Sequence, residues 1–267
     1  MGDNRIITLL TDFGWGDGYI GAMKGVILTI NPRCLIIDVA HEISPHDVIR
    51  AAMVLGHTYH YFPQRTIHVA VVDPGVGGQR KPLVLETEHY LFVGPDNGVF
   101  DLVLKREKGI RAYELAEKRF FLPQVSHTFH GRDVFAPAAA HLSLGTSPGE
   151  MGPTVNHDDL ITLNIPIPSM EAETLQGEVI YIDHFGNLIT NISQEVLREF
   201  TVDEMVAIEI GGEMIKGLKS SYTDAAEGEI IALWGSGGFL EISLKERNLH
   251  RERGWMKGER VRIRRWR

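Results

Sequence analysis

The sequence is poor in the features that mark secreted, membrane-spanning or nucleic-acid-binding proteins. Cys34 is the only cysteine among 267 residues, which excludes an intrachain disulfide and a cage of several thiolates around a metal ion. No apolar run approaches the roughly 20 residues that cross a bilayer. Acidic residues outnumber Lys and Arg by 35 to 27, and the net charge of −8 argues against a polyanion-binding surface. We therefore expect neither a nucleic-acid partner nor a membrane span.

What remains is the composition of a globular protein. With 43% hydrophobic residues, the chain can build one large domain or two moderate ones with their own cores. No signal peptide precedes the first predicted strand, Ile6–Leu10, and cysteine is scarce. We therefore expect a cytoplasmic protein.

The segment Ile67–Arg80 combines the strongest strand signal with a polar, glycine-rich turn. The apolar run Ile67–Val72 is typical of a strand buried on both faces. Asp73 follows it, and the turn PGVGGQ separates Asp73 from Arg80. Open α/β sheets bind ligands at the carboxyl ends of their strands, and Arg80 can fold back to pair with Asp73 there. The alternative is an aspartate that caps its own turn beside a solvated arginine.

Two further predicted strands end in or near acidic turns. Asp12 follows the first strand, Asp38 lies near the end of the second, and Asp17 comes just before a predicted helix. Because parallel strands end at one edge of a sheet, we expect Asp12, Asp38 and Asp73 to line a ligand site. Carboxylates there suit ribose hydroxyls or a cationic group rather than phosphate. The alternatives are an Asx-turn for Asp12 and a helix N-cap for Asp17.

The periodicity of the apolar residues divides the chain. Strands alternate with helices over residues 1–163, which predicts an α/β layer domain with a mostly parallel sheet. Pro166 and Pro168 mark an extended linker at 164–170, and short strands over 171–267 predict a smaller, all-β, barrel-like domain. The predicted helices are Ile20–Ile30, Asp47–Tyr61, Phe100–Lys105, Val134–Leu144 and Gln194–Phe200.

Three other turns carry polar residues. His130 precedes a predicted helix N-terminus, whose dipole disfavours an imidazolium and leaves a neutral ring able to accept a proton. In the all-β domain, Asp183 and Asn187 lie in one strand-ending turn, and Ser236 lies in a Gly-rich turn whose amides suit a carboxylate. The structural alternatives are an isolated histidine before a helix, a hairpin turn at Asn187 and a glycine bulge at Ser236.

Six of these motifs occur in an order that resembles one protein family, the S-adenosyl-L-methionine (SAM) hydroxide adenosyltransferases. They are TDFG at 11–14, DVAH at 38–41, VVDPGVGG at 71–78 with Arg80, GPDNG at 94–98, FHGRD at 129–133 and DHFGN at 183–187. The similarity covers nearly the whole chain. It implies an N-terminal α/β domain, a C-terminal β-barrel domain and a homotrimer with active sites between the N-domain of one subunit and the C-domain of the next.

The resemblance also implies the reaction. Water or hydroxide displaces L-methionine from the 5′ ribose carbon of SAM and leaves adenosine, so that SAM is the substrate and no cofactor or metal is expected. The matching catalytic residues are Asp73, Arg80 and His130. Physically, Asp73 would fix Arg80, and Arg80 would orient the water and favour its deprotonated form. His130 would either accept the proton or help to orient the water.

The substrate contacts come from the same resemblance. Asp12 would bind the ribose hydroxyls, Asp183 the methionine ammonium and Ser236 its carboxylate. The other implied contacts are Asp17, Phe129, Gly131, Phe185, Asn187 and Tyr222. Among these, the aromatic rings would pack on the adenine or ribose, and Asn187 would read the adenine edge.

Three alternatives to hydrolysis stay open. Halogenases of the wider family depart from the Asp–Arg pair and carry another residue in place of His130, so the retained trio favours hydrolysis. They also carry an arginine where this chain has Gly237 and an aromatic residue where it has His46. A SAM or adenosine sensor would bind without turnover. A metal-dependent hydrolase would gather a divalent ion on Asp12, Asp38, His41, Asp73 and His130, although Arg80 would compete with it.

Overall fold

The computed structural model describes residues 5–171, 173–201 and 205–265. The chain divides into two compact units, residues 1–163 and 164–267, which we call the N-domain and the C-domain. Each contains its own apolar core. Among the described residues, no helix combines the length and apolar composition that a membrane crossing requires.

The N-domain is built on a seven-stranded sheet covered by helices. Its strands are β1 (Ile6–Thr11), β2 (Leu35–Ala40), β3 (Ile67–Val71), β4 (Pro82–Glu86), β5 (Leu91–Pro95), β6 (Arg111–Glu114) and β7 (Thr154–Val155). Its helices are α1 (Tyr19–Ile30), α2 (Val48–Thr58), α3 (Asp101–Arg106) and α4 (Ala136–Ser143). The strand order is β2-β1-β3-β5-β4-β6-β7, with β2, β1, β3 and β5 parallel and the remaining three added antiparallel. This confirms the expected α/β class.

The central strand β3 is buried along its whole length, as its apolar run predicts. One face of the sheet packs against α1 and α4, where Met23 and Ile27 of α1 and Phe135, just before α4, join the core. The other face packs against α2 and α3, where Leu55 and Val103 do so. A strand between two helical layers must be apolar on both faces, which explains why β3 lacks the alternation of a half-buried strand.

The strand ends define the polar edge of the N-domain sheet. Thr11 of β1 pairs with Val71 of β3, so the residues that follow these two strands emerge side by side. Asp12 and Asp73 are therefore at this edge. Asp38 is not, which corrects the expectation from sequence: β2 continues to Ala40, and Asp38 pairs with Leu9 inside the sheet.

The C-domain is an antiparallel, barrel-like sheet, as expected. Its strands are β8 (Ser169–Glu171), β9 (Thr174–Ile182), β10 (Leu188–Ser193), β11 (Val206–Ile210), β12 (Glu213–Lys216), β13 (Ile230–Trp234), β14 (Phe239–Leu244) and β15 (Arg260–Arg265), and its helices are α5 (Gln194–Phe200) and α6 (Leu249–Arg253). The order is β12-β11-β15-β9-β10-β14-β13, with β8 paired to β9. A bridge between Lys219 and Leu233 brings the chain after β12 to β13 and nearly closes the barrel.

Two parts of the C-domain differ from the sequence expectation. Ser169 and Met170 of the predicted linker belong to β8; pairing begins only there because Pro166 and Pro168 have no N–H to donate. Strand β10 lacks a continuous apolar run in the sequence, because Thr190 and Asn191 interrupt it. Both are buried and hydrogen-bonded, Thr190 to the Leu240 carbonyl and Asn191 to the Glu178 amide.

Candidate active site

Arg80 returns across the turn after β3 to form a forked ion pair with Asp73. Its Nε lies 3.0 Å from both carboxylate oxygens, and its Nη2 lies 2.5 Å from Oδ2. The turn depends on Gly77, whose φ of 74° is left-handed and where a Cβ would lie 2.2 Å from the His127 carbonyl oxygen. Both side chains are almost completely buried, so the pair is rigid and poorly screened by solvent.

His130 contacts the same guanidinium. Its Nδ1 is 2.8 Å from Nη2 of Arg80. Burial, and then the positive charge of Arg80, lower the pKa of His130 below its ordinary 6.5, so the ring is neutral near pH 7. A guanidinium can only donate hydrogen bonds; Nδ1 must therefore accept, and the ring proton is on Nε2. In this arrangement His130 presents an N–H to a ligand, which favours the orienting role over proton acceptance.

A π-helical turn positions His130. The predicted helix Val134–Leu144 begins instead with the turn Gly131–Phe135, in which the Ala136 amide donates to the Gly131 carbonyl. Pro137 has no N–H, so the carbonyl of Asp133 accepts from Leu122 instead. The fully buried Asp133 carboxylate also accepts from the Ser126 amide at 2.8 Å. Asp133 thus ties down the loop that leads to His130.

The aromatic residues next to this cluster pack on one another. The rings of Phe13, Tyr19 and Phe129 meet edge to face with centroids 5.1 to 5.9 Å apart. Gly131 lies beneath them, and a Cβ there would be 3.2 Å from the Phe13 ring and 3.3 Å from Sδ of Met23. The neighbouring rings therefore fix the ring of Phe129. A glycine at position 131 is explained by the lack of space for a Cβ.

The two remaining carboxylates of the N-domain set lie in the loop after β1. Asp12 accepts a 2.9 Å hydrogen bond from the amide of His46, which has a left-handed φ of 67°. Asp17 is exposed and makes no hydrogen bond to the described residues. Gly18, not Asp17, is the residue that caps α1, so the N-cap alternative for Asp17 does not hold. Both carboxylates keep oxygen lone pairs for a ligand.

The metal-ion alternative has no ligand set in the part of the chain that the structure describes. Within those residues, no group of three or more His, Cys, Asp or Glu side chains lies close enough together to hold an ion. Asp38 is instead bonded to Lys24 at 2.6 Å and to His41 at 2.9 Å. Asp73 is paired with Arg80, so the five residues considered from the sequence do not converge.

In the C-domain, Asp183 and Asn187 form one closed turn. Oδ1 of Asp183 accepts from the amides of Phe185 and Asn187 at 2.9 and 2.8 Å, and Oδ2 accepts from Nδ2 of Asn187 at 2.9 Å. Asn187 therefore does lie in a hydrogen-bonded hairpin turn, as the structural alternative proposed. The turn uses the side-chain donor of Asn187, so what Asn187 can offer a ligand is its carbonyl oxygen.

A cavity of about 530 Å³ opens beside this turn. Phe185, Asn187 and Tyr222 line it, and Phe185 is 72% exposed. Its other wall is a run of residues that the sequence did not single out, Leu244, Lys245, Glu246, Arg247 and Asn248. The charged residues of this segment are typical of a solvated turn, so nothing in the sequence selects it. In the structure, the left-handed φ of 61° at Glu246 distinguishes it from an ordinary turn.

A buried carboxylate that the sequence also did not reveal supports the cavity wall. Tyr222 donates a short hydrogen bond to Glu241, which also accepts from Ser243 at 2.8 Å. Burial and the Glu241 carboxylate raise the pKa of Tyr222, so the phenol stays protonated. Glu241 is 6% exposed and was hidden by the apolar residues around it in β14.

Ser236 is exposed in the hairpin between β13 and β14. The amides of Gly235 and Gly238 form hydrogen bonds within that hairpin, to the carbonyls of Phe239 and Gly235. The amides of Ser236 and Gly237 make no hydrogen bond to other described residues. The bulge alternative and the predicted anion-binding turn are thus both compatible with the backbone.

Each domain of the chain matches a family model. Residues 7–152 match the SAM hydroxide adenosyltransferase N-terminal domain, and residues 177–262 match the SAM hydroxide adenosyltransferase C-terminal domain. The chain belongs to the SAM hydroxide adenosyltransferase family. The resemblance seen in the sequence motifs is thereby confirmed.

Individual relatives agree with the family assignment. The chain is 35% identical over 262 residues to the (R)-S-adenosyl-L-methionine hydrolase of Salinispora tropica, covering 96% of this chain and 97% of that protein. It is 27% identical over 272 residues to the fluorinase of Nocardia brasiliensis, covering 91% of each. A crystal structure of an uncharacterized conserved protein from Thermotoga maritima is similar with a TM-score of 0.88 at 35% identity, covering 97% of this chain and 100% of that one. The chain is thus nearer in sequence to this hydrolase than to this fluorinase.

Proposed function

We propose that this member of the SAM hydroxide adenosyltransferase family is a SAM hydrolase. Hydroxide, or water that gives up a proton to the solvent, bonds to the 5′ ribose carbon of SAM. The C–S bond breaks, its electron pair stays on sulfur, and L-methionine and adenosine are released. The observation that carries the proposal is the continuous hydrogen-bonded set of Asp73, Arg80 and His130 at the end of β3. The similarity to a SAM hydrolase along the whole chain supports it.

The geometry suggests how this set acts. The sulfonium leaves as a neutral thioether, so no general acid is needed, and the difficulty is the poor nucleophilicity of water. Nη1 of Arg80 and Nε2 of His130 have no hydrogen-bond partner among the described residues, and both carry protons. An N–H donor beside the nucleophile favours hydroxide over water, and either group can supply one. Asp73 keeps Arg80 in place and does not contact the nucleophile.

The substrate is assigned to the remaining residues as the family resemblance implies. Asp12 contacts the ribose hydroxyls with Asp17 nearby, whereas Asp183 and Ser236 contact the amino and carboxyl groups of the methionine portion. Phe129, Phe185 and Tyr222 pack on the adenine or ribose, and Asn187 faces the adenine edge. The cavity beside Phe185, Asn187 and Tyr222 supports the C-domain part of this assignment. SAM is the substrate in this proposal, and the reaction uses no cofactor.

We further propose a homotrimer in which the N-domain residues of one subunit and the C-domain residues of the next complete each site. The grounds are the family resemblance and the division of the assigned residues between two domains. A cytoplasmic location stays a prediction.

Isotope labelling tests the reaction directly. Purified protein is incubated with SAM in oxygen-18 water, with and without a chelator, and the products are analysed by mass spectrometry. Adenosine that carries one heavy oxygen, together with unlabelled methionine, is expected in both samples. Activity that chelation abolishes would restore the metal-dependent alternative. Intact SAM would leave a binding protein without turnover.

A parallel incubation with chloride or fluoride tests the halogenase alternative. We expect adenosine rather than a 5′-halogenated nucleoside. The variants Arg80→Ala and His130→Ala should each lower the rate of adenosine formation by about 100-fold or more, the usual size of losses at such electrostatic groups. A halogenated product from the wild-type protein would contradict the assignment.

A further inference from the structure

One buried histidine, His41, holds the loop after β1 at three points. Its Nδ1 is 2.8 Å from Oγ1 of Thr11, the last residue of β1. Its backbone carbonyl accepts a 2.8 Å hydrogen bond from the Gly14 amide. Its ring meets Trp15 edge on, with centroids 4.7 Å apart. The segment from Thr11 to Trp15 is thus fixed from one side by a single residue of the neighbouring chain segment.

The hydrogen bonds around His41 run in one direction only. Lys24 donates to Asp38 and also lies over the Trp15 ring, 5.8 Å from its centroid. Lys24 and His41 lower the pKa of Asp38, so it is a carboxylate that accepts from Nε2 of His41. Burial lowers the pKa of His41, so the ring is neutral and its Nδ1 has no proton. Thr11 must therefore donate to Nδ1.

The hydroxyl of Thr11 connects His41 to the backbone of the loop. Because its proton is directed to His41, its oxygen is free to accept from the Phe13 amide, at 3.3 Å. Phe13 packs on Phe129 with centroids 5.7 Å apart, next to the segment of His130. The connectivity Thr–His–Asp is that of a nucleophilic triad, but Thr11 is fully buried and cannot meet a substrate. Its function is therefore positional.

We propose that His41, oriented by Asp38, is a positioning residue for substrate binding: through Thr11 and Gly14 it sets the place of Asp12 against the ribose. This inference rests on the proposed function, because it takes Asp12 to be a substrate contact. It also separates binding from chemistry. Arg80 is held by Asp73, so displacement of the loop that carries Asp12 does not move the guanidinium. The displacement weakens binding of the adenosine portion of the substrate.

A pair of threonines in one strand provides a matched test. Thr8, also in β1 and buried, donates or accepts at 2.8 Å with Nδ1 of His68 on β3, away from the loop. Thr11→Val and Thr8→Val each remove one buried Thr–His hydrogen bond of equal length. We expect Thr11→Val to raise the KM for SAM and the Kd for adenosine about 10-fold or more, with kcat within about 3-fold. Thr8→Val should leave KM and Kd within about 2-fold.

Two further variants check the direction of the chain. Thr11→Ser keeps the hydroxyl and should keep the wild-type KM. In Asp38→Asn the amide oxygen can accept from Lys24 while the amide nitrogen donates to Nε2 of His41, which moves the ring proton to Nδ1. Thr11 could then no longer donate to Nδ1, and KM should rise as in Thr11→Val. Kd is measured by calorimetry with adenosine and unfolding by urea titration. An equal loss of stability in Thr11→Val and Thr8→Val, with a changed KM only in the former, is the expected pattern. A Thr11→Val variant that binds adenosine as tightly as wild type overturns the inference.

The binding arm distinguishes failure of this inference from failure of the proposed function. If wild-type protein binds adenosine but does not hydrolyse SAM, hydrolysis is wrong, and the positioning of the loop is still decided by the Kd values. If wild-type protein binds neither SAM nor adenosine, the proposed function and the inference are both wrong.

Discussion

The neutral ring of His130 carries its proton on Nε2, so protonation would take place at Nδ1, which faces Arg80. A proton added to Nδ1 would point at the Arg80 guanidinium, so only the neutral ring keeps the contact. Because burial and Arg80 hold the pKa of His130 below 6.5, we expect kcat/KM to be insensitive to this group above that pH and to fall as pH drops through the lowered pKa. A pH–rate profile between about pH 5 and 8 measures this.

The variant His130→Asn separates an orienting residue from a proton acceptor. An asparagine can accept from Arg80 through its oxygen and offer an N–H to the nucleophile, but it does not titrate. We expect this acid limb to disappear and adenosine formation to stay faster than in His130→Ala. An acid limb centred above pH 6.5 in the wild type, or equal rates for the two variants, would contradict the assigned tautomer.

His68 makes the protein sensitive to acid. Its ring is buried in β3, stacks on Phe92 and has a pKa of about 3, lowered by burial from 6.5. The folded state therefore binds fewer protons than the unfolded state below pH 6.5. The free energy of unfolding therefore does not depend on His68 above that pH. It decreases as pH falls toward 3, by at most about 1.4 kcal/mol per pH unit from this group. Urea unfolding at several pH values measures this slope.

The matched variant for His68 removes the group and its partner together. In the double variant Thr8→Val, His68→Leu, both partners of the hydrogen bond are replaced, so no buried hydroxyl is left without a partner. We expect the pH dependence of the unfolding free energy between pH 4 and 6 to become shallower by up to about one proton. An unchanged slope would mean that other groups cause the acid sensitivity.

At the scale of elements, the turn between β3 and β4 depends on one glycine. Gly77 has φ of 74°, and a Cβ there would meet the His127 carbonyl oxygen at 2.2 Å; Gly109 has φ of 64° with nothing within 4 Å. We expect Gly109→Ala to cost about 1 kcal/mol of unfolding free energy and Gly77→Ala clearly more. Only Gly77→Ala should also lower turnover, by about 10-fold or more, because it displaces Arg80 or the segment before His130.

Urea unfolding and single-turnover adenosine formation measure these two effects. Equal costs for the two glycine variants, with normal turnover in both, would show that the contact with His127 does not shape the site.

The elements also show how far the sequence predicts this structure. The apolar run of β3 and its glycine turn predict a buried strand and allow Arg80 to reach Asp73, because both signals are local. The contact of Arg80 with His130 joins residues 50 positions apart, and only the family resemblance suggested it. The place of Asp38 before the end of β2 depends on strand register, and Glu241 is isolated within an apolar strand, so neither has a local signal.

At the scale of the whole molecule, the proposed trimer predicts complementation between inactive variants. Arg80→Ala inactivates the N-domain part of a site and Asp183→Asn the C-domain part. If each site takes its two parts from different subunits, random mixing at equal amounts restores about a quarter of the sites. Activity after co-refolding, with sedimentation to confirm the trimer, measures this. Mixtures as inactive as the separate variants would assign both parts of a site to one chain.

The Asp73–Arg80–His130 set has a consequence for the ionic environment of the reaction. One carboxylate, one guanidinium and one neutral ring sum to no net charge, and the two charges lie within hydrogen-bond distance of each other. A dissolved salt screens charges only beyond about 8 Å at physiological strength, so it barely reaches between them. Turnover should therefore vary little as sodium chloride is raised.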